Sequence, residues 1–129
     1  MDKKPIALLI DDELDYCSFI KMHLKFIADL DVVCAGSGKD GLKLARRIKP
    51  DIIILDVVMP GLDGFAVLEK LKKDDKTISI PVIMLSGLDS DEARIKANQL
   101  YDETYITKPV DVYKLKDKIE EILKIKMTK

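Results

Sequence analysis

The sequence predicts an α/β domain built on a five-stranded parallel sheet with helices on both faces. Three observations point there. Short apolar runs alternate five times with longer stretches of helical periodicity, the pattern of successive β-α units. The central run, Ile52 to Leu55, is apolar at consecutive positions and bounded by Asp51 and Asp56, as expected of a strand buried on both faces. Four of the runs lead into polar residues able to do chemistry, namely Asp11-Asp12, Asp56, Ser86 and Lys108.

Taken in order, Ile6 to Ile10 is the first strand and stops abruptly at Asp11-Asp12. Tyr16, Ile20, Leu24 and Ile27 then recur at helical spacing, with Asp12 the expected cap. Asp31 to Ala35 is a short second strand. Gly41, Leu44, Ala45 and Ile48 mark a second helix, stopped by Pro50. The third strand turns at Pro60-Gly61, and Asp63 caps a helix carrying Phe65, Leu68 and Leu71. After a polar loop from Lys72 to Ser79, Pro81 opens strand four, where a missing N–H is tolerated. Asp89 and Glu92 form a capping-box pattern ahead of Ala93, Ala97 and Leu100, the apolar face of a fourth helix. Thr104 to Thr107 is strand five, closed by Lys108-Pro109. The last helix puts Val112, Leu115, Ile119 and Ile122 on one side and many lysines on the other.

Composition narrows the function. At 129 residues the chain is read as one domain, 1–129, long enough to bury a core. A net charge of −1 gives no basis for a nucleic-acid-binding surface. No apolar run is long enough to span a bilayer, and Lys3-Lys4 precedes too short a stretch for a signal peptide. Cys17 and Cys34 match no metal or redox spacing and are expected to be reduced, half-buried thiols in a cytoplasmic protein. His23 stands alone and reads as an ordinary helix residue. One Asn and one Gln in a charged chain hint at a thermophilic source.

In a parallel sheet the polar strand ends share one edge, where ligands of open α/β folds bind. Three carboxylates gathered there repel one another, so the site either raises their pKa values or takes a cation. Hard oxygen ligands suit Mg²⁺. With the metal and Lys108 offsetting charge, an incoming phosphoryl group becomes tolerable, and Ser86 could hydrogen-bond one of its oxygens. Asp56 is then the natural nucleophile, forming an acyl phosphate. Singly, these residues read as a helix cap, a turn serine or a surface lysine; five of them at the ends of four strands do not.

The motifs resemble those of response-regulator receiver domains of two-component signalling. They are Leu9-Ile-Asp-Asp-Glu13, Leu55-Asp-Val-Val-Met-Pro-Gly-Leu-Asp-Gly64, Pro81-Val-Ile-Met-Leu-Ser86 and Tyr105-Ile-Thr-Lys-Pro109. The resemblance implies a flavodoxin-like sheet of order 2-1-3-4-5, which the chemotaxis receiver itself exemplifies, and five helices. It implies Asp56 as phosphoacceptor, fed by a histidine kinase or phosphotransfer protein. Mg²⁺ would be held by Asp12, Asp56 and the Val58 carbonyl, with Asp11 acting through water. Ser86 and Tyr105 would couple phosphorylation to the face made by the fourth helix, strand five and the last helix, where a downstream protein partner binds. Lys108-Pro109 would be a cis peptide. Such a protein is a switch that catalyses only its own phosphorylation and dephosphorylation, as a monomer or a weak phosphorylation-linked dimer. Val58 and Leu88 would flank the approach of hydrolytic water, and their apolar side chains imply a long-lived phosphoryl group. With no output domain after the last helix, action by docking is expected. Tyr101-Asp102 departs from the Gly-Ala often found before strand five, and Ser86 stands where Thr is commoner.

Two rivals differ in class. Gly36-Ser-Gly-Lys-Asp-Gly41 fits the dinucleotide fingerprint after a strand, with Asp56 about twenty residues on. That reading leaves Asp11, Asp12, Ser86 and Lys108 without a role. An aspartyl-phosphate phosphatase of the haloacid-dehalogenase type needs Asp-x-Asp after strand one, whereas here the acids are adjacent.

Overall fold

Strand β1 (Ile6–Ile10) pairs in parallel with both β2 (Asp31–Ala35) and β3 (Ile52–Asp56), which puts it inside the sheet. β4 (Val82–Ser86) and β5 (Thr104–Thr107) extend the other side, giving five parallel strands in the order β2-β1-β3-β4-β5. The structure is a computed structural model and describes residues 4–87 and 104–127. Its helices are α1 (Leu14–Ile27), α2 (Gly38–Ile48), α3 (Gly64–Lys72) and α4 (Val112–Leu123). The described residues thus hold four helices; the helix expected around residues 89–100 lies outside them.

The period-two alternation of strands explains why the central runs are apolar throughout. Ala7, Leu9, Ile52, Ile54, Ile83 and Leu85 share one buried cluster with Cys17, Ile20 and Leu24 of α1 and Leu115 and Ile119 of α4. Leu8, Ile10, Ile53, Leu55, Val82 and Met84 share the other with Ala45 of α2 and Val67, Leu68 and Leu71 of α3. Cutting the fully buried Leu9 to alanine would cost about 2–5 kcal/mol, through lost burial and the cavity left behind. The edge strand β5 is only half-buried along its length.

Of the caps expected from sequence, Asp63 is found, and Ser37 and Asp111 cap two further helices. Ser37 accepts the Asp40 N–H at 3.1 Å, Asp63 the Ala66 N–H at 2.9 Å, and Asp111 the Tyr113 N–H at 2.9 Å. The first helix is the exception. Its N-cap is Glu13, which makes no side-chain cap, and Asp12 does not cap it. Asp11, buried at the strand end, accepts the Glu13 N–H through Oδ1 at 2.9 Å and so moves the start of the helix one residue on.

Two further expectations are corrected. Cys17 and Cys34 are not free thiols but a disulfide, their Cα atoms 6.3 Å apart. The α1 layer lies over β2, and packing rather than sequence spacing brings the pair within bridging reach. One of the lysines of α4, Lys116, is not on the side away from the core but buried, as is Glu120. Lys116 Nζ donates to Glu120 Oε1 at 3.1 Å, and Glu120 Oε2 accepts the Met127 N–H at 2.6 Å. The Met127 carbonyl in turn accepts the Asp29 N–H at 2.5 Å. The end of the described chain is thereby stitched to the turn that precedes β2.

Candidate functional site

β1 and β3 lie side by side, so the residues just past Ile10 and Leu55 emerge together at the carboxyl edge. Asp11 is fully buried and Asp56 is 4% exposed, while Asp12 faces solvent. One oxygen from each of the three carboxylates lies within 4.8 Å of the other two. Lys108 reaches the same point from the end of β5. Its Nζ donates to Asp11 Oδ2 at 3.0 Å and lies 3.3 Å from Asp56 Oδ1 and 3.9 Å from Glu13 Oε1.

The backbone around Asp56 is tightly built. The Val57 N–H donates to the Leu85 carbonyl and the Gly64 N–H to the Val57 carbonyl, each at 2.9 Å. A Cβ on Gly64 would collide with the Asp56 carbonyl and the Val57 backbone. Only glycine lets α3 begin this close to the strand end. Val58 is 74% exposed, and its N–H donates to the Asp56 carboxylate. Leu88 lies outside the described residues.

Charge at this edge is unbalanced. Burial, and then the Asp11 charge, push the Asp56 carboxyl up to about 6, against the opposing pull of Lys108 and the Val58 N–H. Burial works against the Lys108 charge, yet the hydrogen bond to Asp11 and the charge of Asp56 outweigh it, and its pKa is raised. One ammonium facing three carboxylates leaves room for a divalent cation. Mg²⁺ takes oxygens at about 2.0–2.1 Å, so opposed ligands sit roughly 4 Å apart. The three oxygens are gathered within 4.8 Å of one another, and all are hard donors.

Ser86 is buried at the end of β4. Its hydroxyl donates to the Gly87 carbonyl at 2.9 Å, and its own carbonyl accepts the Lys108 N–H at 2.6 Å. The Lys108–Pro109 peptide is cis. Tyr105 is half-buried, packed against the core on the α2 and α3 side. The structure thus brings Asp11, Asp12, Asp56 and Lys108 into one cluster, with Ser86 joined to Lys108 through the backbone.

Tyr16 belongs to this site too, although its spacing marks it as a core position of α1. Lys108 Nζ lies 4.6 Å from its ring centroid, a cation–π distance, and its hydroxyl accepts the Val110 N–H at 3.1 Å. It therefore holds the lysine and braces the turn behind it. Burial raises its pKa. Nothing in its sequence spacing separates this role from packing, because the partner is 92 positions away.

The glycine fingerprint finds a different explanation. It follows β2, an edge strand, whereas the strand order reverses between β1 and β3. A Cβ on Gly38 would lie 2.7 Å from the Leu62 carbonyl oxygen, and one on Gly41 2.5 Å from Ile10 Cδ1. Both glycines are dictated by packing rather than by a pyrophosphate at the switch point.

Residues 7–120 match the response regulator receiver domain family. The chain belongs to that family. Among curated proteins it is similar to Protein PilH of Pseudomonas aeruginosa, 40% identical over 92 residues, covering 71% of this chain and 76% of that one. It is also similar to the DNA-binding dual master transcriptional regulator RpaA of Synechocystis sp., 34% identical over 120 residues and 93% of this chain. That match takes in 49% of RpaA, so the chain spans about half the length of this relative. Among solved structures, the receiver domain of the Francisella response regulator 1452 superposes with a TM-score of 0.84 at 34% identity, covering 94% of this chain and 98% of that one. The chain is therefore a receiver of two-component signalling with a flavodoxin-like parallel sheet. Among the described residues no helix is long and apolar enough to cross a membrane.

Proposed function

We propose that this receiver accepts a phosphoryl group on Asp56 from the phosphohistidine of a histidine kinase or phosphotransfer protein. An Asp56 oxygen attacks phosphorus, the P–N bond breaks, and the imidazole nitrogen keeps the electron pair and takes a proton. Asp11, Asp12, Asp56 and the Val58 carbonyl would hold Mg²⁺, which offsets the charge of the incoming dianion. Lys108 moves from Asp11 and Asp56 to a phosphoryl oxygen, and the Ser86 hydroxyl turns from Gly87 to another. Tyr105 follows into the space that Ser86 leaves, which changes the surface offered by β5 and α4 to a downstream protein. The chain is a switch rather than an enzyme with turnover on a separate substrate, and it works as a monomer or weak phosphorylation-linked dimer. We place it in the cytoplasm, with no direct contact to nucleic acid. A disulfide there suits the intracellular chemistry of hyperthermophiles, as does the single Asn and single Gln.

The observation that carries this reading is the cluster itself: three carboxylate oxygens within 4.8 Å and one lysine bridging two of them. The test is intact mass after incubation with acetyl phosphate and Mg²⁺. One phosphoryl group should be added to the wild type and none to Asp56→Asn. Undiminished labelling in excess EDTA, or on the variant, would overturn it.

A further inference from the structure

On the α2 and α3 side of the sheet, the surface gathers positive charge around an apolar cleft. The cleft has a volume of about 650 Å³ and lies between α2, α3 and the loop after β3. Among the described residues, Leu42, Pro60 and Leu62 line it together with four cations, Lys39, Lys43, Arg46 and Lys70, and no acid does. Lys39, Lys43 and Lys70 have no ion-pair partner among the described residues. Arg46 is anchored through Nε to Asp74 at 3.0 Å. Lys39, Lys43 and Arg46 are spaced four and three residues apart, which puts them on one face of α2. Like charges at that spacing destabilise a helix, and of the three only Arg46 has an acid to offset it among the described residues.

We propose that this cleft binds a nucleoside polyphosphate. Its size falls within the range of about 300–1,000 Å³ typical of small-molecule sites, which are mostly apolar with a few polar groups to fix orientation. A flat base suits the Leu42, Pro60 and Leu62 surface. A compact polyanion suits the lysines, and the amino end of α2 adds a favourable dipole. The site does not revive the dinucleotide fingerprint. The glycines of that motif are occupied by packing, and here side chains hold the phosphates on the outside of the helical layer. The proposal is independent of phosphorylation at Asp56.

The test titrates the whole protein with ATP in EDTA, so that no metal bridges the nucleotide to the acids. Calorimetry and amide chemical shifts are the readouts. ATP should bind saturably, shift α2 and α3, and bind at least about tenfold more weakly to Lys43→Glu with Lys70→Glu. Adenosine should not bind, and inorganic triphosphate should bind more weakly than ATP. The double variant should keep its unfolding midpoint and its labelling by acetyl phosphate; if charge reversal unfolds it, Lys43→Gln with Lys70→Gln carries the same test. Absence of saturable binding, equal affinity in the variant, or triphosphate binding as tightly as ATP would each overturn the proposal. So would tighter binding of an acidic peptide than of ATP, which would make the cleft a protein-docking surface.

Discussion

Two lysines leave the solvent among acids in this domain, and they do so with opposite balance. At the carboxyl edge Lys108 is shared by Asp11 and Asp56, with Asp12 and Glu13 close by. On α4, Lys116 pairs with Glu120 at 3.1 Å and Asp117 at 3.6 Å. Both lysines have raised pKa values, so the cations alone do not tell the clusters apart. The acids do. Asp56 is pushed up to about 6 by burial and by Asp11, whereas Glu120 is held below the usual range by the Met127 N–H and then by Lys116. A buried acid whose charge is resisted needs another cation; one whose charge is welcomed is settled. The first arrangement is suited to chemistry, the second to fastening a chain end.

The widest separation should come from alanine at each lysine. Among the described residues Lys108 is the one lysine paired with these acids, so Lys108→Ala should lose about 2 kcal/mol at pH 7, less than the roughly 3–5 kcal/mol of a fully buried pair. Mg²⁺ should restore most of that loss, and phosphorylation should no longer shift the amides of β5 and α4. Lys116→Ala should also lower the urea midpoint, but Mg²⁺ should return none of it. If the cation rescues both variants alike, the distinction between the clusters fails.

Glu120→Gln should be milder. It removes the pair with Lys116 yet leaves an oxygen for the Met127 N–H, so the urea midpoint should fall while labelling stays within about twofold of wild type. A labelling defect would mean that the fastening and the site are coupled.

The third prediction uses pH. With the folded Asp56 pKa raised to about 6, the native state holds a proton that the unfolded state has already released at lower pH. Metal-free stability therefore falls as pH rises from about 4 to about 6 on account of this group. Asp56→Asn removes the penalty, so its melting temperature should exceed that of wild type at pH 7, with the gap closing toward pH 4. A gap constant with pH would show that Asp56 ionises as freely as in water.

The smallest effect concerns the lifetime of the phosphoryl group. Val58→Asn with Leu88→Glu should hasten dephosphorylation by about tenfold, since an amide and a carboxylate can position a water and each ~1.4 kcal/mol of barrier is a factor of ten. Decay of phosphoprotein after removal of the donor measures it. No acceleration would relieve these two positions of any control over the rate.

Much of this was legible in the sequence because parallel topology converts strand ends into neighbours. Asp11, Asp56 and Lys108 are far apart in the chain, yet any sheet with these five runs must bring them to one edge. The runs were equally plain: β2 and β5 fall on the predicted residues, because each apolar or β-branched stretch is bracketed by polar ones. What stayed hidden depends on side-chain reach across layers. Lys116 and Glu120 stand four and eight residues after Val112, on the face that spacing assigns to the core, but their charge assigns them to water. The Cys17–Cys34 bridge and the contact of Tyr16 with Lys108 arise where α1 meets β2 and the turn after β5. Thr77 falls in a loop that reads as polar, yet it is buried, and its hydroxyl donates to the Leu71 carbonyl at 2.7 Å to close α3.

The stitch at Met127 has a practical side. Asp29, which donates to the Met127 carbonyl, sits in the turn before β2, at the amino edge of the sheet. A five-residue strand is roughly 16 Å long, and that length separates this edge from the one bearing Asp56. A dye, a surface tether or a fused protein grafted beyond Met127 would thus hang from the pole opposite the phosphoacceptor, leaving a kinase's approach open. The graft should not reach past Met127 into the chain, because the anchor that sets its position is Met127 itself.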